Sequence, residues 1–320
     1  MAKQTMSLLV ETIRDESSRI RSYVLVHPAG QELPEFTAGA HIDLHLANGL
    51  VSSYSLLNHP ADRLRYEIAV ARDANSRGGS SFLYDATRAG DSIEASSPRN
   101  NFALAEGAAL SVFVAGGIGI TPILSMVRRL ETLGGAWKLH YATRDRSQAA
   151  FLDLLAKYGD KVHLHFDADG KGVLDMVTIV NKLPSDGYPA SHVYCCGPAP
   201  MLDAFQSACA NRDPETVHIE HFSANAAPQA EGGSFSVYLA KSGRTVEIRP
   251  GVSILESLLE QGLDMPYSCM EGTCGECEVK VLEGVPEHRD VVLSKKRRAE
   301  NKVMMICRSR ASTNSLTLDI

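Results

Sequence analysis

Cys269, Cys274 and Cys277 stand in a C-x4-C-x2-C run, and a fourth cysteine, Cys307, follows in a separate apolar segment, Val303 to Cys307. This spacing restricts the chain more than any other feature, because it is the spacing of plant-type two-iron cluster ligands. Three thiolates from one tight loop are expected to hold one side of such a cluster, with the fourth arriving from a different element. Gly272 and Gly275 suit the loop, since residues without a side chain let the backbone curl and aim its N–H groups at sulfur. A structural zinc is the competing reading. Zinc sites commonly pair their ligands in short knuckles on both sides, and Cys307 has no paired neighbour.

The remaining cysteines, Cys195, Cys196 and Cys209, sit at a strand end and on a helix, where buried free thiols are common. Seven cysteines without a secretion signal at the N-terminus imply a cytoplasmic protein whose thiols serve metal or cluster ligation rather than disulfides. The net charge of −6 is mild and the basic residues are dispersed, so no nucleic-acid partner is expected. The run Lys295 to Arg298 reads as the solvated face of a short helix ending near Asn301, with a partner-docking patch as the alternative. Ala108 to Val127 is uncharged over about the length of a membrane span. Gly116, Gly117, Gly119 and Pro122 interrupt it, so it reads as a buried strand, a loop and a helix start, with no membrane partner.

A chain of 320 residues holds two or three cores, and the pattern along it changes twice. Residues 1–106 show short strand-like runs at Arg21 to His27, His41 to Leu46, Val51 to Leu57 and Arg65 to Val70, which predict an antiparallel β-barrel. Residues 107–224 alternate apolar strands with amphipathic helices, the strands being Ser111 to Ala115, Trp137 to Ala142, Val162 to Phe166, Ser191 to Cys195 and Thr216 to Glu220. That alternation predicts a parallel-sheet α/β domain. A stretch at 225–233 has linker composition. The last domain, 234–320, opens with a hairpin around Ser242-Gly243 and a helix over Ser253 to Glu260, so the whole reads as a multidomain α+β and α/β chain.

Gly116-Gly117-Ile118-Gly119-Ile120-Thr121-Pro122 joins the first parallel strand to a helix, with Thr121 suited to an N-cap and Pro122 to the first turn. A glycine turn at a helix start leaves N–H groups aimed at a phosphate, although Pro122 occupies the place of the third glycine of the standard dinucleotide fingerprint. A tight connection without a ligand is the alternative. Cys196-Gly197-Pro198 is a second strand end of the same kind, and Thr143-Arg144-Asp145 a third, whose alternative reading is an ordinary capped loop. In the barrel, Tyr54-Ser55, Ala69-Val70-Ala71 and Arg77-Gly78-Gly79-Ser80-Ser81 offer surfaces for an aromatic ring and its phosphate. A plain barrel with a glycine-rich turn competes with that reading.

Taken together these residues resemble the phthalate dioxygenase reductase family, which includes vanillate demethylase reductases. The likeness spans essentially the whole chain, and it is carried by Gly-Gly-Ile-Gly-Ile-Thr-Pro at Gly116, Cys-Gly-Pro at Cys196 and the four cluster cysteines. The resemblance implies FMN, NADH and a 2Fe-2S cluster, held by a flavin-binding barrel, a nicotinamide-binding domain and a C-terminal β-grasp ferredoxin domain. It implies that Tyr54 and Ser55 line the flavin, that Arg77 to Ser81 hold its phosphate, and that Thr121 and Phe222 lie at its ring. Gly116, Gly117, Gly119, Thr143, Asp145, Cys196 and Gly197 would then meet the pyridine nucleotide. One departure stands out: the family's Arg-x-Tyr-Ser flavin motif has Ser52 in place of the arginine, removing a charge-assisted phosphate contact that Arg77 is expected to replace.

No side-chain acid, base or nucleophile is required for such chemistry, which belongs to the cofactors. The resemblance implies a Rieske-type oxygenase as electron acceptor. His288, Arg289 and Asp290 either face that partner or form a structural ion pair. Two other functions remain open on the residues alone, a general flavin reductase or diaphorase and a redox-sensing cluster module. A sensor has no need of a complete nicotinamide domain.

Overall fold

The computed structural model describes residues 5–72, 78–170, 172–185, 191–222 and 232–320; Arg77 and most of the expected linker lie outside the described residues. The chain divides into two compact units, Met1–Glu220 and His221–Ile320.

The first unit begins with six antiparallel strands: β1 (Thr5–Asp15), β2 (Ile20–Val26), β3 (His41–His45), β4 (Val51–Ser55), β5 (Arg65–Ala71) and β6 (Ser92–Ser96). They are ordered β4-β3-β6-β1-β2-β5, and beyond β4 the amide of Leu57 donates to the Glu67 carbonyl of β5 at 2.9 Å, bringing the sheet's two edges together as a barrel requires. Period-2 alternation turns Leu8, Val10, Tyr23, Leu25, Ile42, Leu44, Ile68 and Val70 into the interior. Helix α1 (Gly79–Ala86) follows β5.

Five parallel strands come next: β7 (Ser111–Gly116), β8 (Trp137–Thr143), β9 (Val162–Phe166), β10 (His192–Cys196) and β11 (Val217–Glu220). Their connections include α2 (Ile120–Leu133), α3 (Leu152–Ala156), α4 (Met176–Ser185) and α5 (Ala199–Ala208). Helix α2 forms because Ile120, Ile123, Leu124, Val127 and Leu130 recur on one face, all buried. It stops at Gly134, whose left-handed backbone (φ 67°) suits a residue without Cβ. The sheet order β11-β10-β7-β8-β9 reverses direction between β7 and β10. Such a reversal opens a crevice at the strand C-termini, where ligands of this fold class bind.

Barrel and parallel sheet form one unit rather than two because they share a core. Ala38, Leu57, Ala69 and Phe102 pack in the same apolar cluster as Phe113, Ile120, Ile123 and Met126. No helix among the described residues is long and apolar enough to cross a membrane. Ala108 to Val127 contains β7, the glycine turn and the start of α2.

The second unit is a mixed five-stranded sheet, ordered β13-β12-β18-β14-β16, from β12 (Phe235–Leu239), β13 (Arg244–Ile248), β14 (Glu278–Glu283), β16 (Val303–Met305) and β18 (Ser315–Leu318). A two-stranded ribbon, β15 (Pro286–Glu287) with β17 (Arg310–Ala311), and helices α6 (Ile254–Glu260) and α7 (Lys295–Glu300) complete it. Ser253 starts α6 through a reciprocal cap: its hydroxyl accepts from Glu256 N, and the Glu256 carboxylate accepts from Ser253 N. Ile254, Leu255 and Leu258 of α6 pack on Val237, Leu239, Val246 and Leu316 of the sheet, as in a β-grasp domain.

Candidate cofactor sites

The reversal point of the parallel sheet is built from glycines that no other residue replaces. A Cβ on Gly119 would lie 2.1 Å from the Cys196 carbonyl oxygen, and one on Gly197 would lie 3.2 Å from Gly116 Cα. A Cβ on Gly116 would strike Pro198 Cδ and Met201 Sδ, each at 2.7 Å. The loops after β7 and β10 therefore touch backbone to backbone. Gly117, at φ 54°, meets nothing and is needed for its conformation instead.

Thr121 does not cap α2. The helix starts at Ile120, two residues earlier than such a cap implies, after a 3-10 turn at Gly117–Gly119, and the buried Thr121 hydroxyl donates to the Ile118 carbonyl at 3.0 Å. Its work is to close the glycine turn. β5 lies against this turn, which brings Ala69 and Ala71 beside it. Val70, on the opposite face of the same strand, points into the barrel core and can offer a ligand only its backbone.

The barrel's expected flavin residues divide in a similar way. Ser55 is buried and Tyr54 packs on the barrel core. Gly78, at φ 106°, precedes α1, whose N-terminus has no side-chain cap. Ser80 Oγ is buried there with no hydrogen-bond partner among the described residues. Orphaned hydroxyl and uncapped helix start together fit an anionic phosphate. Ser52, at the expected arginine position, packs on the same helix start: a Cβ on Gly79 would lie 2.2 Å from Ser52 Oγ. Phe222, two residues beyond β11, leaves 40% of its surface exposed.

At the end of β8, Thr143 Oγ1 donates to the Asp145 carbonyl at 2.9 Å. The Asp145 carboxylate accepts from the amides of Ser147 and Gln148 and from both their side chains. These bonds, that from the Ser147 hydroxyl foremost, hold its carboxyl below the usual range. The loop is thus self-capped, and Asp145 has little acceptor capacity left for a ribose.

One group escaped the reading of the sequence. Glu220 ends β11 in register with Cys196, and the Cys196 thiol donates to its carboxylate at 3.9 Å. Glu220 keeps some exposed surface, yet its carboxyl is enclosed, and burial raises it to about 8. Burial, followed by the nearby Glu220 carboxylate, drives the Cys196 thiol well above its ordinary range. Burial thus favours the protonated form of both groups at the ends of β10 and β11. No local motif announces Glu220; the parallel register with β10 brings it there.

In the C-terminal unit all four motif cysteines are buried and none is in a disulfide. The loop curls through Met270, Gly272 and Gly275 at φ 54°, 71° and 79°, turning the amides of Glu271 and Thr273 onto Cys269 Sγ at 3.3 and 3.4 Å. Contact with Cys274 and these amides lowers the Cys269 thiol, while the same contact raises Cys274 and contact with Cys277 raises Cys307, as in thiols crowded together without a cation between them. The thiols associate two by two, Cys269 with Cys274 and Cys277 with Cys307, so the expectation of three on one side and one on the other is corrected. The short loop closes only its first two sulfurs on each other, while Cys277 turns to the β16 side. Two pairs match a centre with two irons.

His288, Arg289 and Asp290 point inward rather than toward a partner. The His288 and Asp290 side chains are 9% and 0% exposed, and Arg289 pairs with Glu287 at 2.8 Å. In the basic run, Arg297 pairs with Glu278 at 2.9 Å and Arg298 donates to the Asp290 carbonyl, so half of it serves the fold.

Residues 237–312 match the 2Fe-2S iron-sulfur cluster binding domain, and residues 113–207 the oxidoreductase NAD-binding domain. The chain is 51% identical to phenoxybenzoate dioxygenase subunit beta of Ectopseudomonas oleovorans, over 98% of this chain and 97% of that one. It is 46% identical to tetrachlorobenzoquinone reductase of Sphingobium chlorophenolicum, over 99% and 98%. The solved structure of phthalate dioxygenase reductase, a modular protein for electron transfer from pyridine nucleotides to 2Fe-2S, superposes with a TM-score of 0.76 at 39% identity, covering 99% of this chain and 98% of that one. Coverage from end to end, across barrel, nucleotide domain and cluster domain alike, makes this chain a member of the phthalate dioxygenase reductase family of electron-transfer oxidoreductases.

Proposed function

We propose that the chain is the reductase component of a multicomponent Rieske-type oxygenase or demethylase, taking electrons from NADH through FMN and a 2Fe-2S cluster to the oxygenase in the cytoplasm. When bound, FMN turns the two-electron hydride of NADH into the single-electron deliveries that a cluster accepts. Gly78, Gly79, Ser80 and Ser81 would hold its phosphate at the start of α1, and Tyr54, Ser55 and the Ala69 to Ala71 backbone would line its ring. Arg77 would supply the cation that Ser52 does not. Gly116, Gly117, Gly119 and Gly197 let the pyridine nucleotide lie across the crevice between β7 and β10. Cys196, at the end of β10 beside Gly197, would meet the pyridine nucleotide there. By the resemblance, Phe222 would be the aromatic residue that meets the flavin. Cys269 with Cys274, and Cys277 with Cys307, each hold one iron.

The observation that carries this reading is the meeting of the two glycine loops at the sheet's reversal point, on a chain that also holds four paired cysteines. An anaerobic NADH titration, followed by visible absorbance and low-temperature EPR, tests it. Flavin bleaching together with the rhombic signal of a reduced two-iron cluster is expected. Bound zinc and no cluster signal would overturn it. The resemblance to a tetrachlorobenzoquinone reductase supports a second reading, direct NADH-dependent quinone reduction. It is favoured if a quinone is turned over as fast by a Cys274→Ser variant lacking the cluster as by the parent.

A further inference from the structure

Asp290 carries a carboxylate with no exposed surface, far from the flavin and nucleotide residues in sequence and used by none of the chemistry above. Enclosing a charge is costly unless other groups satisfy it, and here three chain segments do so. Its Oδ2 accepts from the amides of Val292 and Leu293 at 3.2 and 2.8 Å. Its Oδ1 accepts from the Ser309 hydroxyl at 3.3 Å. That hydroxyl in turn accepts from Arg289 N at 3.2 Å. Arg298 donates to the Asp290 carbonyl, and its guanidinium lies 3.8 Å from Oδ2.

The same segment presses on the cysteine loop. Val291 N donates to the Gly272 carbonyl at 3.0 Å, midway between Cys269 and Cys274. A Cβ on Gly272 would lie 3.0 Å from Asp290 Cα and 3.1 Å from Arg308 Cβ. Ser309, bonded to the carboxylate, stands two residues after Cys307. Asp290 thus joins the loop that presents three cysteines to the segment that presents the fourth.

We infer that Asp290 is the positioning residue of the cluster site: it clamps the Cys269–Cys277 loop to the Cys307 segment, and its enclosed negative charge lowers the midpoint potential. The inference rests on reading the four cysteines as cluster ligands. Asp290 Cα packs on Gly272 within the cysteine loop, so an electron added at the cluster would meet a like charge across a low-dielectric interior, which disfavours reduction.

The experiment uses the full-length holoprotein. The parent's reduced two-iron EPR signal must first be present, and its absence refutes the ligand reading rather than this one. With that signal in hand, Asp290→Asn is expected to raise the midpoint potential, shift the g-values and hasten iron loss to a chelator by about tenfold or more, as the loss of charged buried hydrogen bonds does. Flavin-level ferricyanide reduction by NADH should stay at the parental rate. Potential, g-values and iron loss all equal to the parent's would overturn the proposal. Should Asp290→Asn not retain the cluster, Ser309→Ala decides: the clamp predicts faster iron loss and shifted g-values at unchanged potential, and parental behaviour in all three rejects it.

Discussion

At the scale of single residues, the nucleotide crevice turns on glycines that are required for different reasons. Gly119 is excluded from bearing a side chain by a fixed backbone carbonyl at 2.1 Å, whereas Gly117 has open space and only a left-handed φ to maintain. Gly119→Ala is therefore expected to destabilise by roughly 1–3 kcal/mol or more, as overpacking of an unyielding site does, and to abolish NADH binding. Gly117→Ala is expected to cost about 1–2 kcal/mol, the strain of a left-handed L-residue. Thermal melts and NADH titration of the two variants check this, and a Gly119→Ala variant that still binds NADH would contradict it. Glu220 supports a second prediction. Its folded pKa, about 8, is raised from the ordinary 4.5, so the folded state keeps a proton that the unfolded chain releases. That stability is complete below about 4.5 and drains away as pH rises toward 8. Glu220→Gln removes the dependence, and its melting temperature is expected to fall less than the parent's between pH 5 and 8. Parallel curves would show an ordinary carboxyl. The glycine motif was legible in the sequence because its residues are contiguous, although the clash that requires Gly119 comes from the distant Cys196 carbonyl. Glu220 was not, because only the pairing of β11 with β10 gives it a partner, and Thr121 was misassigned because its hydroxyl donates back to Ile118 where a cap would accept.

At the scale of elements, strands whose alternation is clean were readable, and β9 and the β12–β13 hairpin fall within a residue of the expected bounds. β1 and β6 were not foreseen. They are central to the barrel, yet their local pattern is mixed and they gain their place by pairing across more than seventy residues, Met6 opposite Ala95. The parallel sheet also carries stacked imidazoles, His140 on His163 at 4.9 Å and His192 on His218 at 5.2 Å. Burial first, and the neighbouring His second, lower His140 and His218 to about 4. A depressed histidine contributes stability above its unfolded pKa near 6.5 that is lost as pH falls toward 4. Acid should therefore loosen this sheet before it reaches the carboxylates' usual range. His140→Phe keeps the ring and removes the proton site, so the variant is expected to retain up to about 3 kcal/mol more of its neutral-pH stability at pH 4. Urea melts at pH 7.5 and 4 measure this, and an unchanged acid sensitivity would assign the loss elsewhere.

At the scale of the molecule, the three sequence patterns resolve into two folding units because core sharing, not pattern change, defines a unit. The barrel pattern ends near Ala105, but Ala38, Leu57 and Phe102 belong to the same apolar cluster as α2, so neither half has a complete core alone. The cysteine unit is different. Its cluster of buried side chains runs from Phe235 to Leu318 and includes none from the first unit, and both sheets of the first unit are complete by Glu220. A chain ending at Phe222, which retains the ring expected at the flavin, should therefore fold with its two sheets intact. It should bind flavin and reduce ferricyanide with NADH near the parental rate, yet lose most cytochrome c reduction, because single electrons reach large acceptors through the cluster. Circular dichroism and the two assays on this fragment test the claim together. A fragment that folds and still reduces cytochrome c would mean that electrons leave from the flavin directly. An unfolded fragment would mean that the cysteine unit completes a core the first unit lacks.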